Sequence, residues 1–173
     1  MSNFKDSPNY EVYDDYYTPL CILEKLEEFV PKDWRVFEPC LLGSNEQSKK
    51  HLESLGYGVL GSKDFNFLTD DSPELDDYEI IITNPPFQTE IKKEILKKIV
   101  ATGKPFILIM NTLNIFSKYF HEIFKDTQIE FIVPDNKFHY DKYKGEEFIE
   151  SKKKTSFYSI FITHKVVASN KFL

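Results

Sequence analysis

The stretch "YEIIITNPPF", Tyr78 to Phe87, decides how the rest of the chain is read. Its first half is an aliphatic run without polar alternation, the pattern of a strand covered on both faces in a parallel sheet. It then breaks into two consecutive prolines and an aromatic ring. Each proline lacks an N–H and fixes φ, so the carbonyls of Asn84 and Pro85 are held where no ladder partner can use them. The strand therefore ends in acceptors left for something else.

Working outward, "QTEIKKEILKKIVATG" has helical period and closes at Gly103, and "KPFILIMNT" repeats the buried-strand pattern. Beyond it, "NIFSKYFHEIFKD" reads as a helix and "IEFIVPD" as a strand; a charged segment from about Phe138 to Lys154 precedes a last strand, "SFYSIFITHKV". Upstream, "DDYYTPLCILEKLEEFVP" is expected to be a helix with Thr18 as N-cap, Pro19 at its first position and Pro31 as its stop. "WRVFEPC" reads as a short strand, "SNEQSKKHLESLG" as a helix ended by Gly56, "YGVLG" as a strand, and "DFNFLTDDSPELDD" as an acidic loop. Strands alternating with helices predict an α/β, Rossmann-like doubly wound sheet whose ligands bind at the carboxyl ends of its strands. The last two strands have no helix of clear period between them, so an antiparallel C-terminal hairpin is expected at one edge of a mostly parallel sheet. That arrangement is unlike a dinucleotide dehydrogenase. No repeat or linker divides residues 1–173, which read as one domain with a loose lead-in over residues 1–13.

Composition narrows the classes further. With 41% hydrophobic residues and 16% aromatics in 173 positions, the chain can bury a core without metal or disulfide help. Cys21 and Cys40 lack metal-ligand spacing, the four histidines are scattered, and no apolar run approaches the ~20 residues of a membrane span. The expectation is a cytoplasmic protein with no metal and no membrane partner. A formal charge of −6 weakens the general attraction to phosphate. Lys92, Lys93, Lys97 and Lys98, and Lys152 to Lys154, read first as a solvated helix face and a charged loop. A polynucleotide substrate would nevertheless need a basic face.

"EPCLLGSN", Glu38 to Asn45, and "NPPF", Asn84 to Phe87, both fall at carboxyl ends of expected strands and would face one crevice. On this pairing the chain resembles the S-adenosylmethionine-dependent amino methyltransferases, particularly the DNA adenine-N6 type with its Asn-Pro-Pro-Phe motif, from about Tyr16 to the last strand. The resemblance implies a cofactor loop at "EPCLLGSN", with Glu38, Pro39, Cys40 and Gly43 binding S-adenosylmethionine. It also implies that Tyr17, Thr18 and Pro19 touch the methionine part of the cofactor, and that Asp64 and Phe65 lie beside its adenine. Small phage and viral members share this compact layout and act inside the host cell. Three departures stand out: one extra residue between Pro39 and Gly43, Asn45 at the place of the family's last glycine, and no acid at the end of the second strand, which reads "VLGSKDF". No separate target-recognition domain is expected, so the substrate is read by a partner, by the "FHYDKYKGEEFIESKKK" segment, or hardly at all; a protein partner or homodimer is also expected for so small an acidic chain.

The catalytic set implied by the resemblance is Asn84, Pro85, Pro86 and Phe87. An exocyclic amine delocalises its lone pair into the ring and is a poor nucleophile, and two acceptors aimed at its hydrogens draw it toward tetrahedral geometry. The Asn84 side-chain oxygen and the Pro85 carbonyl supply both, held rigid by the prolines. Phe87 would stack on a base that has left its helix. Nucleic acid is the expected partner, DNA ahead of RNA. The alternatives are an RNA adenine-N6 or guanine-N2 methyltransferase, a glutamine-methylating enzyme of the same fold, and a non-catalytic subunit that keeps the fold and binds nucleic acid.

Overall fold

A computed structural model of the chain describes residues 16–41, 46–144, 147–152 and 157–173. The strands are β1 (Tyr16–Tyr17), β2 (Val36–Phe37), β3 (Val59–Leu60), β4 (Ile80–Thr83), β5 (Phe106–Asn111), β6 (Glu130–Val133), β7 (Tyr140–Lys144), β8 (Glu147–Lys152), β9 (Ser159–His164) and β10 (Lys171–Phe172). The α-helices are α1 (Leu20–Leu23), α2 (Gln47–Ser54), α3 (Thr89–Thr102) and α4 (Lys118–Phe124).

Seven strands form one sheet in the order β10-β6-β9-β5-β4-β2-β3. Pairings β2–β3, β2–β4, β4–β5 and β6–β10 are parallel, while β9 runs antiparallel to both of its neighbours, β5 and β6. This mixed α/β, mostly parallel sheet is the Rossmann-like, doubly wound arrangement that the sequence predicts. The antiparallel C-terminal pair is β6 with β9, and β9 lies inside the sheet, with β10 beyond β6 at the edge.

Burial on both faces explains the unalternating strands. Ile80 and Ile82 of β4 and Ile107 and Ile109 of β5 pack with Ile22, Leu23, Leu26 and Leu52. Ile81, Phe106, Leu108 and Met110 point the other way, onto Leu96 and Ile99 of α3 and Phe120 and Phe124 of α4. Each such side chain contributes ~1.5–3 kcal/mol when fully withdrawn from water. Helix α3 ends at Gly103, whose φ of 65° is the left-handed cap that the sequence signal predicts.

The N-terminal helix departs from expectation. Only Leu20–Leu23 is α-helical and Glu24–Leu26 continues as a 3-10 turn. Pro19 occupies the N-cap position with no side-chain cap bond, and Thr18, expected there, uses its hydroxyl elsewhere. The charged segment after Phe138 also holds more order than expected: β7 and β8 pair antiparallel, and β7 pairs with β1 to complete a second, three-stranded sheet. Tyr140 anchors it, donating from its hydroxyl to Ser159 Oγ at 2.7 Å.

The strand order also places the site. From β2 the chain moves outward to β3 on one side and then returns to β4 on the other. The carboxyl ends of β2 and β4 therefore flank the switch in winding direction, where an open α/β sheet leaves a crevice. Glu38 follows β2 and Asn84 follows β4.

Candidate functional site at the carboxyl ends of β2 and β4

Glu38 is 4% exposed, and its backbone N–H still belongs to the ladder, donating to the Leu60 carbonyl at 3.0 Å. Its carboxylate Oε1 accepts from the Thr83 hydroxyl and from the Cys40 N–H at 3.1 Å, and the Ser48 hydroxyl donates to the same carboxylate. Burial pushes the Glu38 carboxyl up to about 7, and these three donors offset only part of that rise. All three are neutral. A buried carboxylate with hydroxyl and amide donors and no cation among the described residues suits a ligand carrying an ammonium or N–H group.

Gly61 makes the closeness of β2 and β3 feasible here. Its φ is +117°, and a Cβ at this position would lie 2.2 Å from the Glu38 carbonyl oxygen. Pro39 is buried and Cys40 half-buried and in no disulfide. Gly43 lies within residues 42–45, outside the described residues.

Beyond Thr83, the turn is neither sealed in the core nor fully open. Pro85 is buried, while Asn84, Pro86 and Phe87 are half-buried. Asn84 Nδ2 donates to Thr18 Oγ1 at 3.4 Å, and among the described residues no donor reaches Asn84 Oδ1. Thr18 is 2% exposed and its carbonyl faces His51 Nδ1 at 3.2 Å. The "YYTP" segment is thus brought against the Asn-Pro-Pro-Phe turn by Thr18 itself, with Tyr17 half-buried and Pro19 buried beside it. The Phe87 ring lies 5.7 Å from Phe157, which in turn sits 5.8 Å from Tyr140 of the small sheet.

Asp64 and Phe65 follow Gly61 but stand apart from this cluster. Asp64 is exposed, and the half-buried Phe65 packs 5.9 Å from Phe37 and 6.4 Å from Phe67. No hydrogen bond among the described residues ties Asp64 to Glu38 or Asn84. The solvated face expected of the α3 lysines holds only in part: Lys93 pairs with Glu90 and Lys97 with Glu94, each at 2.7 Å, whereas Lys92 is buried and donates to Asn114 Oδ1 at 3.1 Å, and the half-buried Lys98 donates to the Phe67 carbonyl. The side chains of Lys152 to Lys154 lie outside the described residues.

Sequence reasoning missed Thr83, His51 and Phe157. Thr83 carries a visible signal, being the one hydroxyl in an otherwise aliphatic strand. His51 and Phe157 carry none, because their roles come from contacts across the fold. Among the described residues no group of three or more His, Cys, Asp or Glu is arranged to hold a metal ion. No helix among them is long and apolar enough to cross a membrane.

No family model matches the sequence, and no curated protein matches it. Among solved structures, one from Listeria monocytogenes assigned to the class I S-adenosylmethionine-dependent methyltransferases aligns with a TM-score of 0.48 at 12% identity, covering 95% of this chain and 65% of that one. An S-adenosylmethionine-dependent O-methyltransferase of Thermotoga maritima aligns with a TM-score of 0.45 at 12% identity, over 84% of this chain and 64% of that one. The T. thermophilus 16S rRNA N2 G1207 methyltransferase, in complex with AdoMet and guanosine, gives 0.45 and 13%, over 91% and 44%. At such scores and identities these likenesses carry no weight for activity, which rests on the residues themselves.

Proposed function

We propose that the chain is a single-domain, S-adenosylmethionine-dependent methyltransferase acting on an exocyclic amine of a nucleic-acid base, with N6 of adenine in DNA as the first substrate. The observation that carries this reading is the position of Asn84. Its amide oxygen, unclaimed among the described residues, sits one residue beyond Thr83, whose hydroxyl binds the buried Glu38 carboxylate at the neighbouring strand end.

The residues present fit the cofactor. Glu38 is a buried carboxylate without a cation, and the ammonium group of a methionine moiety supplies one. Thr18, held against Asn84, puts Tyr17 and Pro19 next to the same crevice. Pro39, Cys40 and Gly43 would line the phosphate-free loop that follows, and Asp64 and Phe65 would meet the adenosine end. When bound, S-adenosylmethionine supplies an electrophilic methyl group on a sulfonium.

This chain's own part is positioning. Asn84 Oδ1 and the Pro85 carbonyl accept from the two hydrogens of the target amine and localise its lone pair on nitrogen. The two prolines keep those acceptors from relaxing onto other donors. Phe87, with the Phe157 ring 5.7 Å away, would meet an extruded base, a contact worth ~1–3 kcal/mol. No carboxylate or imidazole hydrogen-bonds Asn84 among the described residues, so the amine's surplus proton leaves to solvent.

The test pairs calorimetry with nucleoside analysis. The full chain is titrated with S-adenosylmethionine, and DNA and RNA incubated with both are digested and analysed by mass spectrometry. Cofactor binding with N6-methyladenine in DNA is the expected result. Methyladenine or N2-methylguanine in RNA alone would move the substrate within the class. Absence of binding at high micromolar cofactor would overturn the enzyme reading in favour of a non-catalytic nucleic-acid-binding subunit.

A further inference from the structure

An amide is two-faced, and which face Asn84 turns to the substrate decides whether it can act. Its oxygen accepts from an amine, whereas its nitrogen would oppose N–H to N–H. Something must fix the choice. In the structure the nitrogen is occupied, because Asn84 Nδ2 donates to Thr18 Oγ1 at 3.4 Å. Thr18 is buried at 2% exposure, and its backbone is itself held, since the carbonyl meets His51 Nδ1 at 3.2 Å across 33 residues of chain.

His51 makes a second contact. Gln47 Nε2 approaches His51 Nε2 at 3.1 Å, one helical turn earlier on α2. An amide nitrogen can only donate and a carbonyl can only accept. The Thr18 carbonyl can only accept, so His51 Nδ1 carries a proton directed at it, and Nε2 lies within hydrogen-bond distance of the Gln47 amide.

Resting on the methyltransferase reading above, we infer that His51 and Thr18 are positioning residues. The imidazole N–H of His51 holds the Thr18 backbone, and the Thr18 hydroxyl engages the amide nitrogen of Asn84, which leaves Asn84 Oδ1 as the acceptor for the substrate amine. Neither residue touches the reacting atoms. The hydroxyl of Thr18 thus serves the acceptor motif rather than the cofactor, although its segment borders both.

The test uses the full chain, uniformly 15N-labelled, and four variants: Thr18→Val, Thr18→Ser, His51→Leu and His51→Asn. An asparagine at 51 keeps a side-chain N–H near the place of imidazole Nδ1, so it should restore what leucine removes. The side-chain amide signals of Asn84, assigned with Asn84→Asp, should shift and lose exchange protection in Thr18→Val and His51→Leu, and return toward wild type in Thr18→Ser and His51→Asn. Methyl-transfer kcat should fall about tenfold in the first two, as expected for one lost hydrogen bond, with cofactor Kd changed less than about threefold and recovery in the other two. Thermal melts separate this from unfolding, and His51→Asn carries the test if His51→Leu does not fold. Unchanged Asn84 signals in Thr18→Val would overturn the inference. So would a Thr18→Val that raises cofactor Kd at constant kcat, or a well-folded His51→Asn whose Asn84 signals match those of His51→Leu. If no nucleic acid is methylated, the amide signals still decide the relay, while the nucleoside analysis decides the activity.

Discussion

Strands β2 and β4 lie side by side, and their two ends are joined in opposite ways. At the amino ends, Glu79 accepts from the Arg35 backbone N–H at 2.7 Å and from its guanidinium Nη2 at 3.0 Å, and both side chains are substantially exposed. Arg35 holds the Glu79 carboxyl below its ordinary value, and the pair compensates itself. At the carboxyl ends, Glu38 meets neutral donors alone among the described residues, Thr83 foremost, and burial holds its carboxyl well above the usual range. One end is a closed, solvated clasp of the kind that contributes little to stability. The other holds a buried carboxyl with its pKa raised to about 7 and neutral partners alone among the described residues, the kind of perturbed group that binding sites hold.

Breaking the polar end at its acceptor should have the largest effect. Asn84→Ala is expected to lower methyl-transfer kcat by ~10²–10³, the range for removing one preorganised transition-state contact, with cofactor affinity little changed by calorimetry. Gly61→Ala comes next: with φ at +117° and a Cβ 2.2 Å from the Glu38 carbonyl oxygen, β3 must separate from β2. Chemical denaturation should show a loss of roughly 3 kcal/mol.

Glu38→Gln sharpens the comparison through pH. The folded carboxyl titrates at about 7 against an ordinary value of 4.5, so between those values the native state holds a proton that the unfolded chain has released. Stability is then highest below 4.5 and declines as pH rises to about 7, by a total on the order of 3 kcal/mol. Glutamine should abolish that slope in melts run from pH 4.5 to 8 and weaken cofactor binding ~10–100-fold, as for one lost charged hydrogen bond. Wild-type binding near neutral pH should release a proton, read by calorimetry in buffers of different ionisation enthalpy. Arg35→Gln at the other end should have the smallest effect, leaving cofactor affinity and the pH slope alone. If it weakens the cofactor as much as Glu38→Gln, the distinction between the two ends fails.

Much of the sheet was legible because periodicity reports burial directly. "YEIIIT" and "KPFILIM" are buried on both faces and became β4 and β5, and the helix before Gly103 became α3. Thr18 was misread as a helix cap because a threonine before a proline offers the same oxygen to a helix end or to a distant amide. Only the fold shows which partner it takes. The hairpin of β7 and β8 was missed although "FHY" alternates, with Phe138 and Tyr140 buried and His139 exposed, because charge masked the period. Within the site, Glu38 and Asn84 were legible as strand-end residues, and the Thr83–Glu38 and His51–Thr18 contacts were not, since their partners lie 45 and 33 residues apart.

The reversed strand β9 has a consequence for how the chain is made. It fills the slot between β5 and β6, both of which leave the ribosome earlier. Until Ser159–His164 emerges, the nascent protein carries two unzipped edges, one of them the apolar "FILIM" of β5. Late closure of a long-range seam is slow, so translation itself must hold open the gap that the last long strand enters.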